Sequence, residues 1–255
     1  MIVALTREPA RVLDACELTY REREPIDAGL AARQHRAYCD ALRACGARVL
    51  TLPRVDELPD SVFVEDTAIV LDEVAVLTRP GVESRRGEVA LIETEIASLR
   101  PVVKVGAPAT LEGGDVMRVG RTLYVGLSPR TNAEGADALR RFAAPHGYEV
   151  VTVELRGCLH LKTGCSALDD ATVLVNPEWV DVDAFDGHDL VAVDASEPWA
   201  ANALRVESSI CMSAVFPRTA ESLRARGYDV REVEVSEFAK AEGGMTCMSL
   251  LFRQP

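Results

Sequence analysis

Seven cysteines and four histidines are the chain's candidate nucleophiles and proton carriers, and their neighbours tell them apart. Cys247 lies in Glu242-Gly243-Gly244-Met245-Thr246-Cys247-Met248, where paired glycines let the backbone come close to a bound molecule. The other six lack such a loop. Cys16 precedes a polar segment, Cys39 and Cys45 fit a helix, Cys158 and Cys165 flank a histidine loop, and Cys211 sits in an apolar run. Among the histidines, His160 alone follows an apolar pair, Cys158-Leu159, and precedes Leu161. His35 belongs to a charged helix, and His146 and His188 stand beside turn glycines, so these three are expected to be solvated. A cysteine and a histidine brought together make a nucleophile with its acid/base partner. No C-x-x-C and no second histidine at ligand spacing point to a zinc site.

Glu65, Asp66 and Glu112 sit in short loops next to apolar stretches. Carboxylates beside a thiolate are unfavourable unless a cation lies between them. A planar, permanently charged guanidinium meets that need, because carboxylates bind it bidentately. The same loops would repel a phosphate or carboxylate head.

These loops must be brought together by the fold, and a repeat in the sequence shows how. Gly147, Gly187 and Gly227 recur every 40 residues, each opening a short apolar run, and Gly46 fits the same pattern. Arg100-Pro101-Val102-Val103-Lys104-Val105 supplies a fifth copy without the glycine. Each unit reads as helix, stop, strand, and Gly46, Gly147 and Gly227 sit where a left-handed residue is wanted after a helix. The first helix spans roughly 27–45, with Leu30, Ala37, Tyr38, Ala41, Leu42 and Cys45 facing inward. A second lies near 88–99, a third precedes Gly147, and one before Gly227 starts at Pro217; the stretch before Gly187 is short for a helix. After each strand comes a polar loop and a further apolar strand. The loops carry Glu65/Asp66, Glu112/Asp115, His160, Asn202 and Cys247 at equivalent positions. Equivalent loops of a repeat protein share one face. The first strand, Ile2–Leu5, and the last, Cys247–Phe252, are expected to pair and close the ring, which removes an exposed sheet edge.

Composition narrows the function classes. The 255 residues carry 28 Lys+Arg and 40 Asp+Glu, a net charge of −12, which disfavours nucleic acid or an anionic membrane as partner. No apolar stretch reaches the length of a membrane span, and Met1–Arg7 does not resemble a signal peptide. An odd number of cysteines is expected to be reduced, as in the cytoplasm. The length allows one domain over 1–255.

Taken in order, six segments resemble the dimethylarginine dimethylaminohydrolase family of the pentein, or guanidino-group-modifying, superfamily. They are Glu17-Leu18-Thr19, Asp60–Thr67, Leu111–Asp115, Ser128–Asn132, Leu159–Thr163 and Glu242–Cys247, and they span nearly the whole chain. The resemblance implies an α/β fold, a five-bladed propeller of ββαβ repeats with pseudo-fivefold symmetry, in agreement with the repeat above. It implies Cys247 as nucleophile, His160 as general acid/base and Glu112 as the carboxylate that orients the guanidinium and shuttles protons. Asp66 would hold the guanidinium from the other side, with Glu65 in support. Arg85 and Arg130 would grip the substrate α-carboxylate, and Asp60 with the Leu18 carbonyl would take its α-amine, Leu18 lying on a lid near 15–25. The implied reaction is hydrolysis of Nω-methylated arginine to citrulline and a methylamine, with no cofactor and no metal, since the electrophilic carbon already carries the guanidinium charge. A homodimer is compatible with this reading.

Lys162 departs from the His-x-Asp of arginine deiminases and favours the dimethylargininase branch, while Thr163 replaces a common serine. Three other readings compete. One is arginine deiminase-like hydrolysis of arginine or another guanidine. A second is an amidinotransferase, which would pass the amidine to an amine. The third is a non-catalytic pentein such as the ribosome-binding anti-association factors. Cys247, His160, Glu112 and Asp66 together argue against the last.

Overall fold

The computed structural model describes residues 1–254, and their elements follow the glycine-punctuated repeat. The strands are β1 (Ile2–Arg7), β2 (Arg48–Leu52), β3 (Ala68–Val70), β4 (Ala75–Leu77), β5 (Val102–Lys104), β6 (Val116–Val119), β7 (Thr122–Leu127), β8 (Glu149–Glu154), β9 (Cys165–Ala167), β10 (Thr172–Val175), β11 (Asp189–Ala192), β12 (Leu204–Val206), β13 (Ser209–Ser213), β14 (Asp229–Val233) and β15 (Leu250–Arg253). The α-helices are α1 (Ala28–Ala44), α2 (Arg86–Ala97), α3 (Ala133–Ala143), α4 (Leu161–Gly164), α5 (Pro217–Ala225) and α6 (Ser236–Lys240).

Among the described residues the strands form five sheets of three. In each sheet the middle strand pairs antiparallel on one side and parallel on the other, as in β3-β4-β5 and β6-β7-β8. The parallel partner follows a crossover that carries a helix in four of the five units, as parallel neighbours require. The crossover between β10 and β11 has only a 3-10 turn, Val182–Phe185. The chain ends meet in one sheet: β15 pairs antiparallel with β1, Leu5 opposite Leu250 and Ile2 opposite Arg253, and β1 runs parallel to β2.

Gly46, Gly147, Gly187 and Gly227 all hold positive φ, 78° to 94°, a conformation that opens freely only to glycine. They turn each crossover into its parallel strand. Asp27 caps α1 by accepting the Leu30 N–H at 2.9 Å, and Pro217 occupies the first turn of α5.

The apolar core is divided between neighbouring sheets. Leu5 and Phe252 pack with Leu77, Ile92 and Ile96. Ile69 and Val76 pack with Val116, Leu123 and Leu139. Met117 and Tyr124 pack with Cys165, Val173 and Phe185. Leu174 and Val191 pack with Ile210, Met212 and Leu223. Val206, Cys211 and Val233 pack with Ala4, Tyr38 and Leu42 of the first sheet, so each cluster joins one sheet to the next and the last returns to the first.

Two expectations for α1 need correction. Ala37 is exposed, whereas Ala31, Gln34, His35 and Cys39 are buried. The helix packs on α6 as well as on its sheet. Gln34 donates to Ser236 Oγ at 2.8 Å and accepts the Glu237 N–H at 3.0 Å, so a polar side chain can be buried at full hydrogen-bonding strength. His35 is not solvated but 2 % exposed. Burial, with Arg36 nearby, pushes its pKa down to about 4 and keeps it neutral. No helix of the described residues is long and apolar enough to cross a membrane.

Candidate active site

Four of the five equivalent loops are single helical turns and the fifth is a plain turn, each placed just before an antiparallel-paired strand. Val64–Thr67 precedes β3, Gly113–Asp115 precedes β6, α4 precedes β9, and Pro198–Ala201 stands before β12. The turn at 245–248 precedes β15, so Cys247 lies on a turn rather than in the strand. Repetition of this turn puts side chains of all five units in contact. Glu65 donates its N–H to the Cys247 carbonyl at 3.2 Å and accepts from Thr246 Oγ1 at 2.7 Å and Lys162 Nζ at 2.6 Å. Asn202 donates to the Lys162 carbonyl at 2.8 Å and accepts the Thr246 N–H at 3.1 Å.

Two glycines permit this convergence. A β-carbon on Gly114 would lie 2.6 Å from His160 Nδ1 and 2.8 Å from Asp66 Oδ1, and one on Gly244 would lie 2.5 Å from Asn202 Oδ1. Neither approach is tolerable for a side chain.

His160 Nε2 is 2.7 Å from Glu112 Oε2, and Glu112 has no solvent exposure. Asp66 accepts the Gly114 N–H at 2.9 Å and pairs with Arg85 at 2.8 Å. Ligand atoms of Asp66, Glu112 and His160 lie within 4.8 Å of one another, a spacing that would admit a metal ion as well as an organic cation. Burial works against an imidazolium at His160, but Asp66, Asp115 and the Glu112 hydrogen bond outweigh it and raise the pKa to about 9. Asp66 is held at about 2 despite its burial, because His160, Arg85 and the Gly114 N–H favour its charged form. Asp115 is pushed up to about 6, chiefly by burial; it accepts from Ser128 Oγ at 2.6 Å and from the Leu161 N–H at 3.0 Å.

Of the seven cysteines, all free, Cys247 alone is only half-buried. Desolvation, then Glu65 and Asp66, push its pKa up to about 12, against a weak contact from the Gly244 N–H at 3.3 Å. The thiol is therefore protonated while the site holds no external cation.

Arg85 and Arg130 differ in what they have to offer. Arg85 is buried and gives Nε and Nη2 to Glu88 and Nη1 to Asp66. Most of its donors are thus taken by carboxylates. Glu88 is missing from the sequence reading, which starts the second helix at it; its i,i+3 spacing from Arg85 was the available signal. Burial raises Glu88 to about 7 against the pull of Arg85. Arg130 is positioned by a serine turn, Ser128 Oγ accepting the N–H groups of Arg130 and Thr131 at 3.0 and 3.1 Å. It makes a longer 3.5 Å contact with Glu112 Oε1 and donates to Thr19 Oγ1 at 3.1 Å. Asp60 accepts the Glu17 N–H at 3.1 Å, next to Leu18, which packs against the same apolar cluster as Cys247. Burial raises the Asp60 pKa, with Arg85 opposing.

A separate cavity of about 510 Å³ is lined by Ala68, Val116, Ser166, Leu204 and Leu250, one residue from each sheet or its edge. Glu65 and Lys162 line it as well, whereas Asp66, Glu112, His160 and Cys247 do not. The Glu65–Lys162 pair thus stands between this cavity and the thiol-bearing cluster.

Residues 6–251 match the family model described as N,N dimethylarginine dimethylhydrolase, eukaryotic. The chain belongs to the dimethylarginine dimethylaminohydrolase family. It is 42% identical over 252 residues to the N(G),N(G)-dimethylarginine dimethylaminohydrolase of Streptomyces coelicolor, covering 98% of this chain and 97% of the relative. It superposes with a TM-score of 0.91 on a cysteine-to-serine mutant of the Pseudomonas aeruginosa enzyme complexed with citrulline, at 39% identity over 98% of each chain. A histidine-to-glycine dimethylarginine dimethylaminohydrolase bearing an adduct with S-methyl-L-thiocitrulline gives a TM-score of 0.94 at 40% identity, over 99% of this chain and 100% of that one. Dimethylarginine dimethylaminohydrolases thus match this chain over nearly its full length, in fold and in sequence.

Proposed function

We propose that this chain hydrolyses Nω-methylated arginines to citrulline and a methylamine through a covalent intermediate on Cys247. The observation that carries the reading is the convergence of a protonated thiol, a high-pKa histidine and two buried carboxylates on loops of different repeat units. A guanidinium entering between Asp66 and Glu112 supplies the missing cation and lowers the cost of ionising Cys247. Because His160 already carries its proton, the Cys247 proton passes to solvent, and the thiolate adds to the guanidinium carbon. His160, protonated at neutral pH, gives its proton to the departing methylamine, and the C–N bond breaks to leave an S-alkylthiouronium. Water, deprotonated by His160, adds to the same carbon, the C–S bond breaks, and the proton left on the product oxygen passes to the departing sulfur, which releases neutral citrulline and restores the thiol and the imidazolium. Glu112 holds the imidazole by its Nε2 contact throughout. Glu65, with both oxygens engaged by Lys162 and Thr246, supports the nucleophile's turn.

The same reading takes the five sheets as blades of one pentein propeller forming a single catalytic unit over 1–255; the sheet-to-sheet core clusters support it. Seven free thiols support a reducing compartment such as the cytoplasm. A citrulline assay across arginine, monomethylarginine and asymmetric and symmetric dimethylarginine tests the substrate class. Product is expected with the monomethyl and asymmetric dimethyl forms. Equal or better turnover of free arginine would favour a deiminase instead.

On this reading, capture of the α-carboxylate falls mainly on Arg130, since Arg85 has few donors to spare. Arg130→Gln is expected to raise KM about 10- to 100-fold with a smaller change in kcat, the equivalent of losing one charge-assisted contact remote from the reacting carbon. Agmatine, which lacks the carboxylate, should be a poor substrate of the native chain and should discriminate little between native and variant. Efficient agmatine turnover would remove the α-carboxylate assignment.

A further inference from the structure

Glu242 has a backbone conformation that its neighbours would hold more easily. Its φ is +58°, in the left-handed region, although Gly243 and Gly244 follow at once. A residue with a β-carbon holds that conformation only where its surroundings impose it. Its carboxylate is what the surroundings use. Oε2 accepts the Thr19 N–H at 3.0 Å, and Oε1 accepts the N–H groups of Tyr20 and Arg21 at 2.5 and 2.6 Å. Three successive backbone donors converge on one carboxylate, a small anion nest. These bonds join two segments more than 220 residues apart in sequence.

The segment so held has little else to fix it. Thr19 and Tyr20 are exposed, as are 22–25, and residues 17–24 contain no regular secondary structure. Its other ties are mostly polar: Glu17 to Ser84 at 2.6 Å and Asp60 at 3.1 Å, Thr19 to Arg130 at 3.1 Å, the Arg21 guanidinium over the Trp199 ring at 4.8 Å, and the Arg23 guanidinium to the Asp14 carbonyl and, at 2.7 Å, to the Cys16 carbonyl; the half-buried Leu18 adds its apolar contact with the neighbouring cluster. Segments held this way, with few buried apolar contacts, open readily. Two of those ties, Asp60 and Arg130, are residues assigned above to the substrate's amino-acid end. The carboxylate also belongs to the turn that leads to Cys247, closed by the Gly243 N–H on the Phe238 carbonyl at 2.8 Å.

We propose that Glu242 is a positioning residue that latches residues 17–24, and with them Leu18, over the site, tying closure of that segment to the nucleophile's own loop. The proposal rests on the assignment of Leu18, Asp60 and Arg130 to the amino-acid end of the substrate. Glu242 touches neither the guanidinium nor the thiol, so its effect falls on substrate capture.

Glu242→Gly tests this, because glycine adopts the left-handed turn without strain while the side chain that accepts the three N–H groups is removed. Two readouts are made on the full chain. Trypsin nicking after Arg21 and Arg23, without substrate, reports opening of the segment and is expected to speed up about 10-fold or more while the rest of the chain stays intact. KM for a methylated arginine is expected to rise about 10-fold or more with kcat within about threefold, which a general loss of folded protein would not produce. Nicking and KM both within about twofold of native would overturn the latch. Faster nicking with unchanged KM would overturn its positioning role. If neither native nor variant protein makes citrulline, the proposed reaction fails, while the nicking rates still decide whether Glu242 holds the segment.

Discussion

Cys247→Ser is expected to fold as the native chain does and to lose citrulline formation by a factor of about 1,000 or more. The sulfur is half-buried and its replacement by oxygen is nearly isosteric, so the core beneath it, Met245, Met248 and Phe63, has no reason to move. Chemistry, by contrast, depends on an ionised nucleophile. The thiol already stands at about 12 beside Glu65 and Asp66, and a serine hydroxyl is far harder to ionise than any thiol. The same field predicts an unusual reactivity pattern. Alkylation of Cys247 should be slow in the free protein and faster when a small guanidinium-like cation sits between the carboxylates without covering the sulfur. Mass spectrometry of quenched turnover should find an adduct on the peptide bearing Cys247 and on none of the six buried cysteines. Near-native citrulline production by Cys247→Ser would remove the nucleophile and the mechanism together.

Replacing His160 by alanine is expected to lower kcat about 100- to 10,000-fold, the span usual for a lost general acid/base. Its titration gives two further checks. Protonated imidazole is the acid that releases the amine, so kcat/KM should fall as pH rises through about 9. Asp115→Asn removes one of the carboxylates that raise this value while keeping an oxygen for the Leu161 N–H. The alkaline limb should therefore move to lower pH in that variant. A limb that stays in place would separate it from His160. Stability follows the same proton. The folded-state value lies above the ordinary 6.5, so the native chain binds the proton more tightly than the unfolded chain. That contribution is full below about pH 6.5 and is lost as pH rises through about 9; at about 1.4 kcal/mol per pKa unit it is on the order of 3 kcal/mol. Denaturant midpoints of native protein and His160→Ala should accordingly converge between pH 6.5 and 9. A constant difference over that range would mean that His160 is not charged in the folded state.

Much of the fold was legible because its punctuation is local. A glycine after a helix needs left-handed φ whatever the rest of the chain does, so Gly46, Gly147 and Gly227 marked their crossovers, and the 40-residue spacing added Gly187. Pairing of the terminal strands followed from the cost of two bare sheet edges. The helix faces were less legible. By sequence pattern His35 is expected to be solvated and Gln34 falls outside the inward face, whereas α6 lying across α1 covers both, through Ser236 and Glu237 on Gln34 and Phe238 beside His35.

The sequence by itself determined which residue types stand at equivalent loop positions: carboxylates in the first two units, histidine in the third, asparagine in the fourth and cysteine in the fifth. That is a property of spacing along the chain, and it suffices to name a thiol, an acid/base and a cation-binding pair. Tertiary structure alone decided how their charges are distributed. The pairing of Arg85 with Asp66, the pairing of Lys162 with Glu65 and the three amide donors on Glu242 join segments whose sequence separation says nothing of contact. The field at His160 and Cys247 is a sum over Glu65, Asp66, Glu112 and Asp115, and Coulomb interactions in a desolvated site depend on distances of a few ångströms that no periodicity encodes.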